Sequence, residues 1–148
     1  MMKFAVSLSL LFVFISSFAF AGGPSSATNQ YVSCKVDLGK RTLQPGSTGE
    51  MLITLKPSAG IHINLTPPIS LTLDSSTTVT PKGSPEIPKK EKFLDVTKPI
   101  RQPFTVSPAL KPGTVTIKGT VTYYYCSDAE GWCSKFKQPI ELSIRVVK

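Results

Sequence analysis

The chain has 148 residues, and 17 basic residues against 9 acidic ones give it a formal net charge of +8. This length suits one domain with its own hydrophobic core. A basic excess can indicate binding to nucleic acid or to a membrane surface. The lysines are scattered, however, and only Lys89 and Lys90 are adjacent. This distribution favours a solvated surface and argues against nucleic acid, while an acidic protein partner stays open.

The first 21 residues have the features of an export signal. Lys3 supplies a positive start, residues 4–20 are apolar apart from serines, and Ala19-Phe20-Ala21 is a small-x-small site. We therefore expect a secretory signal peptide over residues 1–21, cleaved before Gly22. A membrane anchor is the alternative, because the apolar run approaches spanning length. No second long apolar segment follows, so no membrane span is expected after cleavage.

Alternating apolar and polar residues predict a series of short strands after a flexible leader over residues 22–30. Pro and Gly clusters separate the strands, and no stretch has the helical period. Residues 81–98 break the pattern as a long Pro- and Lys-rich loop carrying Phe93-Leu94, and such a loop is usually functional or disordered. The predicted strands before the C-terminal region are Tyr31–Leu38, Met51–Pro57, Ile61–Asn64, Ile69–Leu73, Thr77–Thr80 and Ile100–Val106.

The C-terminal residues predict two longer strands joined as a long-looped antiparallel hairpin. Apolar side chains alternate over residues 115–125 and again over 140–146, and the connection contains Gly131. About seven or eight short strands with turns between them predict an immunoglobulin-like antiparallel β-sandwich over residues 31–148.

Three cysteines distinguish this chain. By strand alternation Cys126 and Cys133 lie on the polar faces of the two hairpin strands, so both sulfurs point to one side and can bond within reach of solvent. A bulge at Pro139 would shift the second strand's alternation. Cys34 falls on the apolar face of the first strand, which predicts a buried, inert thiol. Pairing of Cys34 with another chain is the alternative.

Most catalytic arrangements are missing from the sequence. His62 is the one histidine, so a zinc site would need Cys126 and Cys133 plus further ligands that the sequence does not offer. No G-x-S-x-G, phosphate loop or paired carboxylate arrangement occurs, since Asp128 and Glu130 lie in a polar loop. No cofactor and no metal is therefore expected, and hydrolase chemistry is disfavoured.

The cysteine pair itself allows two interpretations. If the Cys126–Cys133 disulfide is a structural staple, closing so short a loop stabilises the fold by about 2.5 kcal/mol in the chain-entropy model. As a redox centre, a bond at the end of a hairpin and on the outer face is accessible to another protein's thiolate, which exchange requires. The residues alone leave both open.

The segment Val121–Cys133, followed by a Gln-Pro-Ile-Glu-Leu strand, resembles the end of the N-terminal periplasmic domain of DsbD, the thiol:disulfide interchange protein. The turn and strand over residues 60–64 and the loop over residues 91–95 fall where that family has comparable pieces. The resemblance extends over residues 31–147. It implies an immunoglobulin-like periplasmic domain that takes electrons from a thioredoxin-like domain and passes them to periplasmic disulfide proteins.

The resemblance also implies roles for individual residues. Cys126 and Cys133 would be the catalytic pair, and Phe93, followed by Leu94, would form a cap loop that shields the pair until a partner displaces it. An ordinary core anchor is the alternative for Phe93. The family's transmembrane and thioredoxin-like domains do not follow here, so a free-standing exported domain is expected.

This sequence departs from the family around the pair. The loop between the cysteines is slightly longer, and His62 and Asn64 stand where well-known members carry tyrosines. Tyr124 and Trp132 complete the predicted surroundings of the pair. Lys90 and Lys92 replace acidic residues beside the cap phenylalanine, and a basic rim favours a thiolate. An ordinary strand residue is the alternative for His62.

Two functions remain from the sequence. The first is an exported thiol–disulfide oxidoreductase that links a thioredoxin-like protein or a DsbD-type membrane donor to extracytoplasmic disulfide proteins. The second is an immunoglobulin-like binding module whose disulfide is structural. The reduction potential separates them, since structural bonds lie below about −300 mV. Metal binding by the reduced thiols is weaker than either, because it needs another ligand.

Overall fold

The computed structural model describes residues 27–74 and 78–148. The predicted signal peptide and residues 22–26 of the predicted leader lie outside the described residues. The described chain is all-β and contains eleven strands. They are β1 Val32–Leu38, β2 Thr42–Leu43, β3 Thr48–Pro57, β4 Ile61–Asn64, β5 Ser70–Leu73, β6 Val79–Pro81, β7 Lys89–Lys90, β8 Phe93–Leu94, β9 Ile100–Val106, β10 Gly113–Ser127 and β11 Trp132–Val146.

The strands form two sheets that enclose a common core. The smaller sheet has the order β1-β3-β9-β6, and the larger one has the order β2-β11-β10-β4-β8-β7, with β5 also paired to β10. Among the described strands, β2 pairs with β11 in parallel, whereas the other pairings are antiparallel. The predicted immunoglobulin-like antiparallel β-sandwich is confirmed, with the parallel β2 as an addition.

Period-2 alternation explains the core. On β3 the side chains of Met51, Ile53 and Leu55 are buried, and from the larger sheet Val121 and Tyr123 join the same cluster. Gly49 fits this interior for a steric reason, because a Cβ there would lie 2.5 Å from the Phe104 ring. The two sheets therefore bury the apolar faces that the sequence pattern marks out, which is the main favourable term in folding.

The predicted long loop over residues 81–98 contains a small hairpin, β7–β8. Its strands are two residues long, too short to show alternation, and Phe93 pairs with Asn64 so that the hairpin extends the larger sheet beyond β4. The turn holds Glu91 at a φ of 56°, a left-handed conformation that is unfavourable for a residue with a side chain. Residues 89–94 are called the cap hairpin below.

The predicted long connection between the last two strands is wrong. Ser127 pairs with Trp132, which leaves a four-residue turn closed by a 2.9 Å hydrogen bond from the Gly131 N–H to the Ser127 carbonyl. Pro139 stands opposite Thr120 in an unbroken register, so it introduces no bulge there.

In the described ranges, no helix has the length and apolar character needed to cross a bilayer.

Candidate functional site

Cys126 and Cys133 form a disulfide at the turn end of the β10–β11 hairpin. The two residues stand directly opposite each other in the register, so their side chains share one face of the sheet. Tyr125, the neighbour of Cys126, points into the core. The disulfide therefore lies on the outer face of the larger sheet, as strand alternation predicts.

The two sulfur-bearing residues differ in exposure. Cys133 is exposed, whereas Cys126 is only 3% exposed. The bond is within reach of solvent at Cys133 and is covered at Cys126. The cause is the sheet order, because β10 lies between β11 and β4 and neighbours cover Cys126 from both sides. Only one end of the bond is open to an incoming thiolate.

Two polar side chains of β4 lie beside the buried cysteine. His62 stands opposite Cys126 and Asn64 stands opposite Tyr124, so all four side chains share the outer face. The Asn64 amide donates a hydrogen bond to the Cys126 sulfur, with Nδ2 and Sγ 2.8 Å apart. His62, Asn64 and Tyr124 therefore lie on the same face of the sheet as the pair.

Charged groups surround these side chains. Nδ1 of His62 lies 3.5 Å from the carboxylate of Asp128 in the hairpin turn. The ammonium of Lys135 lies 5.7 Å from the centre of the Tyr124 ring. Asp128 thus faces the site from the turn, a placement that its position in a polar loop does not reveal in the sequence.

Phe93 of the cap hairpin extends this surface. Its ring centre lies 4.1 Å from that of His62, and the Lys92 ammonium lies 5.1 Å from the Phe93 ring centre. Phe93 stands opposite Asn64 and Cys126 stands opposite His62, so β4 lies between Phe93 and the disulfide. Phe93 is thus a lateral neighbour of the site whose ring contacts His62.

Leu94 has the opposite role within the cap hairpin. It is 5% exposed and belongs to the hydrophobic core, because neighbouring residues on a strand point to opposite faces. Leu94 therefore anchors the hairpin, the role considered above as an alternative for Phe93. A cavity of about 270 Å³ between β4 and the cap hairpin is lined by Ile61, His62, Phe93 and Leu94, among others.

Trp132 does not border the disulfide. Its ring packs 5.0 Å from that of Tyr31 and 5.8 Å from that of Tyr125, on the core side of the sheet, and its indole N–H donates to Glu130. Placing Trp132 in the surroundings of the pair is therefore wrong. Alternation explains the difference, since the residue next to Cys133 must point to the opposite face.

Cys34 lies in the other sheet, in surroundings that suppress reactivity. It is half-buried, packs against the core and has no disulfide partner among the described residues. Desolvation raises the pKa of its thiol to about 11, and the thiolate is the reactive form. The predicted position of Cys34 on the apolar face of β1 agrees with this, whereas its predicted burial is only partial.

The described ranges contain no group of three His, Cys, Asp or Glu side chains arranged to hold a metal ion.

No family model matches the chain, and no curated protein matches it. Among solved structures, the GAE domain of yeast GGA1 is similar at 17% identity and a TM-score of 0.46, covering 78% of this chain and 95% of that one. The ZirS C-terminal domain is similar at 19% identity and a TM-score of 0.36, covering 97% of each chain. At these scores neither structure bears on the function.

Proposed function

We propose that the protein is a thiol–disulfide exchange domain that acts through Cys126 and Cys133. The observation that supports this function best is the asymmetry of the bond, with an exposed Cys133 joined to a covered Cys126. Exchange proceeds by attack of a thiolate on one disulfide sulfur and depends on access to that sulfur. The exposed residue provides access, and the covered residue is the leaving group.

The reaction follows from this asymmetry. A thiolate of a reduced partner attacks Sγ of Cys133, the S–S bond breaks, and Cys126 leaves as a thiolate that keeps the bonding electron pair. The partner's second thiolate then attacks the partner's first sulfur, which is bonded to Cys133 in the mixed disulfide, and Cys133 leaves as a thiolate. The partner loses two electrons and becomes a disulfide, while Cys126 and Cys133 become a dithiol.

The reverse sequence passes the electrons onward. The Cys133 thiolate attacks an acceptor disulfide, and Cys126 then attacks Cys133 in the mixed disulfide and restores the internal bond. Each half of the cycle transfers two electrons between a dithiol and a disulfide and needs no cofactor. Cys133 is thus the residue that bonds to partners, and Cys126 is the residue that resolves the bond.

The cap hairpin shields the β4 side of the pair. Phe93 places an aromatic ring against His62, beside the covered cysteine. Such a ring hinders small thiols that approach the pair from the β4 side. A protein partner that displaces the short hairpin uncovers the Cys126 end of the bond as well, whereas the Cys133 end is open without displacement.

The partners belong to the same proposal. The resemblance of residues 31–147 to the DsbD family supports a thioredoxin-like or DsbD-type electron donor, an extracytoplasmic disulfide protein as acceptor, and a periplasmic location. On β11 the exposed residues Cys133, Lys135 and Lys137 follow one another on the outer face. This basic row favours partners with an acidic surface around their reactive cysteine.

Reduced thioredoxin, as a probe of the thioredoxin-like class, tests the function. We expect oxidised protein mixed with excess reduced thioredoxin to acquire two free thiols at Cys126 and Cys133, detected by an alkylating mass tag and peptide mapping. A Cys34→Ala variant removes the third thiol and serves as the background. If the folded protein gains no thiols, the disulfide is a structural clip and the binding-module hypothesis takes its place.

A further inference from the structure

We propose that Asn64 is a catalytic residue of the exchange, in which its side-chain amide stabilises the Cys126 thiolate that leaves when Cys133 is attacked. This inference rests on the proposed function. It assigns a chemical role to a β4 side chain that touches one of the two reacting atoms. The hydrogen bond from Asn64 Nδ2 to Cys126 Sγ, 2.8 Å long, carries it.

The hydrogen bond changes in strength during the reaction. A sulfur in a disulfide is neutral and accepts hydrogen bonds weakly, whereas a leaving thiolate carries a full negative charge. Hydrogen bonds to ionised acceptors are about twice as strong as neutral ones. The Asn64 amide therefore stabilises the transition state and the thiolate more than the oxidised ground state, which is the condition for lowering the barrier.

The burial of Cys126 makes the donor necessary. At 3% exposure the leaving sulfur has little contact with water, and desolvation disfavours a charged form. Cys34 shows the effect of desolvation in this fold, since it is only half-buried and burial already raises its pKa. A thiol with a high pKa is a poor leaving group. Asn64 supplies in place of water the hydrogen bond that the thiolate needs.

Neighbouring charges set the background for this bond. His62 and Asp128 form a pair 3.5 Å apart at the same end of the sheet, and the Lys92 and Lys135 ammoniums lie over the rings of Phe93 and Tyr124. Asn64 is neutral, so its replacement by another neutral residue removes the donor and leaves these charges unchanged. The role of the amide can therefore be measured separately from that of the charges.

The first measurement isolates Cys126 as a single thiol. In a Cys34→Ala, Cys133→Ser background, the pH dependence of alkylation reports the thiolate fraction of Cys126. We expect both Asn64→Leu and Asn64→Ala to lower that fraction about tenfold or more at a fixed pH, the effect of losing one charged hydrogen bond. Asn64→Ala is decisive, because it also opens the site to water. If Asn64 only fills space, Ala raises the thiolate fraction, and the proposed role is wrong.

The second measurement follows catalysis in the Cys34→Ala protein with both active cysteines present. We expect single-turnover reduction by dithiothreitol to slow about three- to tenfold in Asn64→Leu and Asn64→Ala, since the leaving thiol has a higher pKa. Thr122→Val is the matched control, because it removes a polar group from the outer face of β10 without touching the sulfur. Its rate should equal that of the parent.

The outcomes separate the two proposals. If the parent is reduced and the Asn64 variants react at the parental rate, the role of Asn64 is wrong and the exchange function stands. If the folded parent resists dithiothreitol, the exchange function is wrong and the role of Asn64 is lost with it. The free energy of unfolding of the oxidised proteins verifies that the variants fold. If Asn64→Leu does not fold, Asn64→Ala alone tests the role of the amide.

Discussion

Two regions of this sandwich hold cysteines under opposite conditions. Cys34 packs against the core from the smaller sheet, where desolvation raises its pKa to about 11. Cys126 and Cys133 lie on the outer face of the larger sheet, where one residue is exposed and the other accepts a hydrogen bond. Burial alone raises the pKa of the Cys34 thiol, whereas in the proposed function a donor and an exposed partner let a covered cysteine take part in exchange.

Removing Cys126 or Cys133 should change exchange most strongly. Cys126→Ser should leave an exposed Cys133 thiol that accumulates a stable mixed disulfide with a protein partner, because no resolving thiol remains. Cys133→Ser should form at least about a hundredfold less adduct, and should form it slowly, because the remaining Cys126 thiol is covered. Non-reducing gels of both variants in the Cys34→Ala background measure the adducts. Equal trapping would contradict the asymmetry of the bond.

The two residues of β8 should separate shielding from anchoring. Leu94→Ala removes a buried side chain and should lower the free energy of unfolding by about 2–4 kcal/mol, measured by urea denaturation. Phe93→Ala lies on the outer face, so it should change stability less. It should instead speed alkylation of the Cys126 thiol several-fold in the Cys34→Ala, Cys133→Ser background, because the ring no longer covers the β4 side of that thiol. Unchanged kinetics in a folded Phe93→Ala protein would show that Phe93 does not shield the pair.

The basic row beside Cys133 should affect charged thiols more than neutral ones. Lys135→Gln with Lys137→Gln should slow exchange with anionic glutathione about twofold to fivefold, because local attraction of the anion is lost. Exchange with mercaptoethanol, whose thiolate carries less negative charge than that of glutathione, should slow less and serves as the control. Added salt should weaken the glutathione preference of the parent in the same way. A salt-independent preference would mean that the lysines do not steer partners.

The smallest expected effect concerns Cys34 and pH. Its thiol pKa is about 11 in the folded protein against an ordinary value of 9.0, so the folded state retains a proton that the unfolded chain loses. The free energy of unfolding should therefore fall as pH rises from about 9 towards 11. Cys34→Ala should make this fall shallower in urea denaturation at several pH values. An identical slope would show that the Cys34 thiol is not desolvated.

Alternation within strands explains how much of the fold could be predicted from the sequence. The long runs around Met51 and Tyr123 show the period of two clearly, and they predict both the sandwich and the outer position of the cysteine pair. Strands of two residues, such as β2 and β8, have no period to detect. They form because longer strands offer partners for their backbone groups.

The site was only partly predictable for a related reason. The burial of Cys126 depends on β4 pairing across β10, which is a contact between distant parts of the chain. The hydrogen bond of Asn64 to Cys126 depends on the same register. Trp132 is a different case, because its position beside Cys133 in the sequence suggested contact, although strand alternation directs it to the other face.

The most direct test of the central claim is the reduction potential of the Cys126–Cys133 pair. Folded protein is equilibrated in graded thiol/disulfide buffers, and free thiols are trapped with an alkylating mass tag at each potential. We expect the two cysteines to titrate together at a potential above about −300 mV, the range of exchange-active disulfides. A pair that stays oxidised in the folded protein below that value would contradict the account and identify a structural clip.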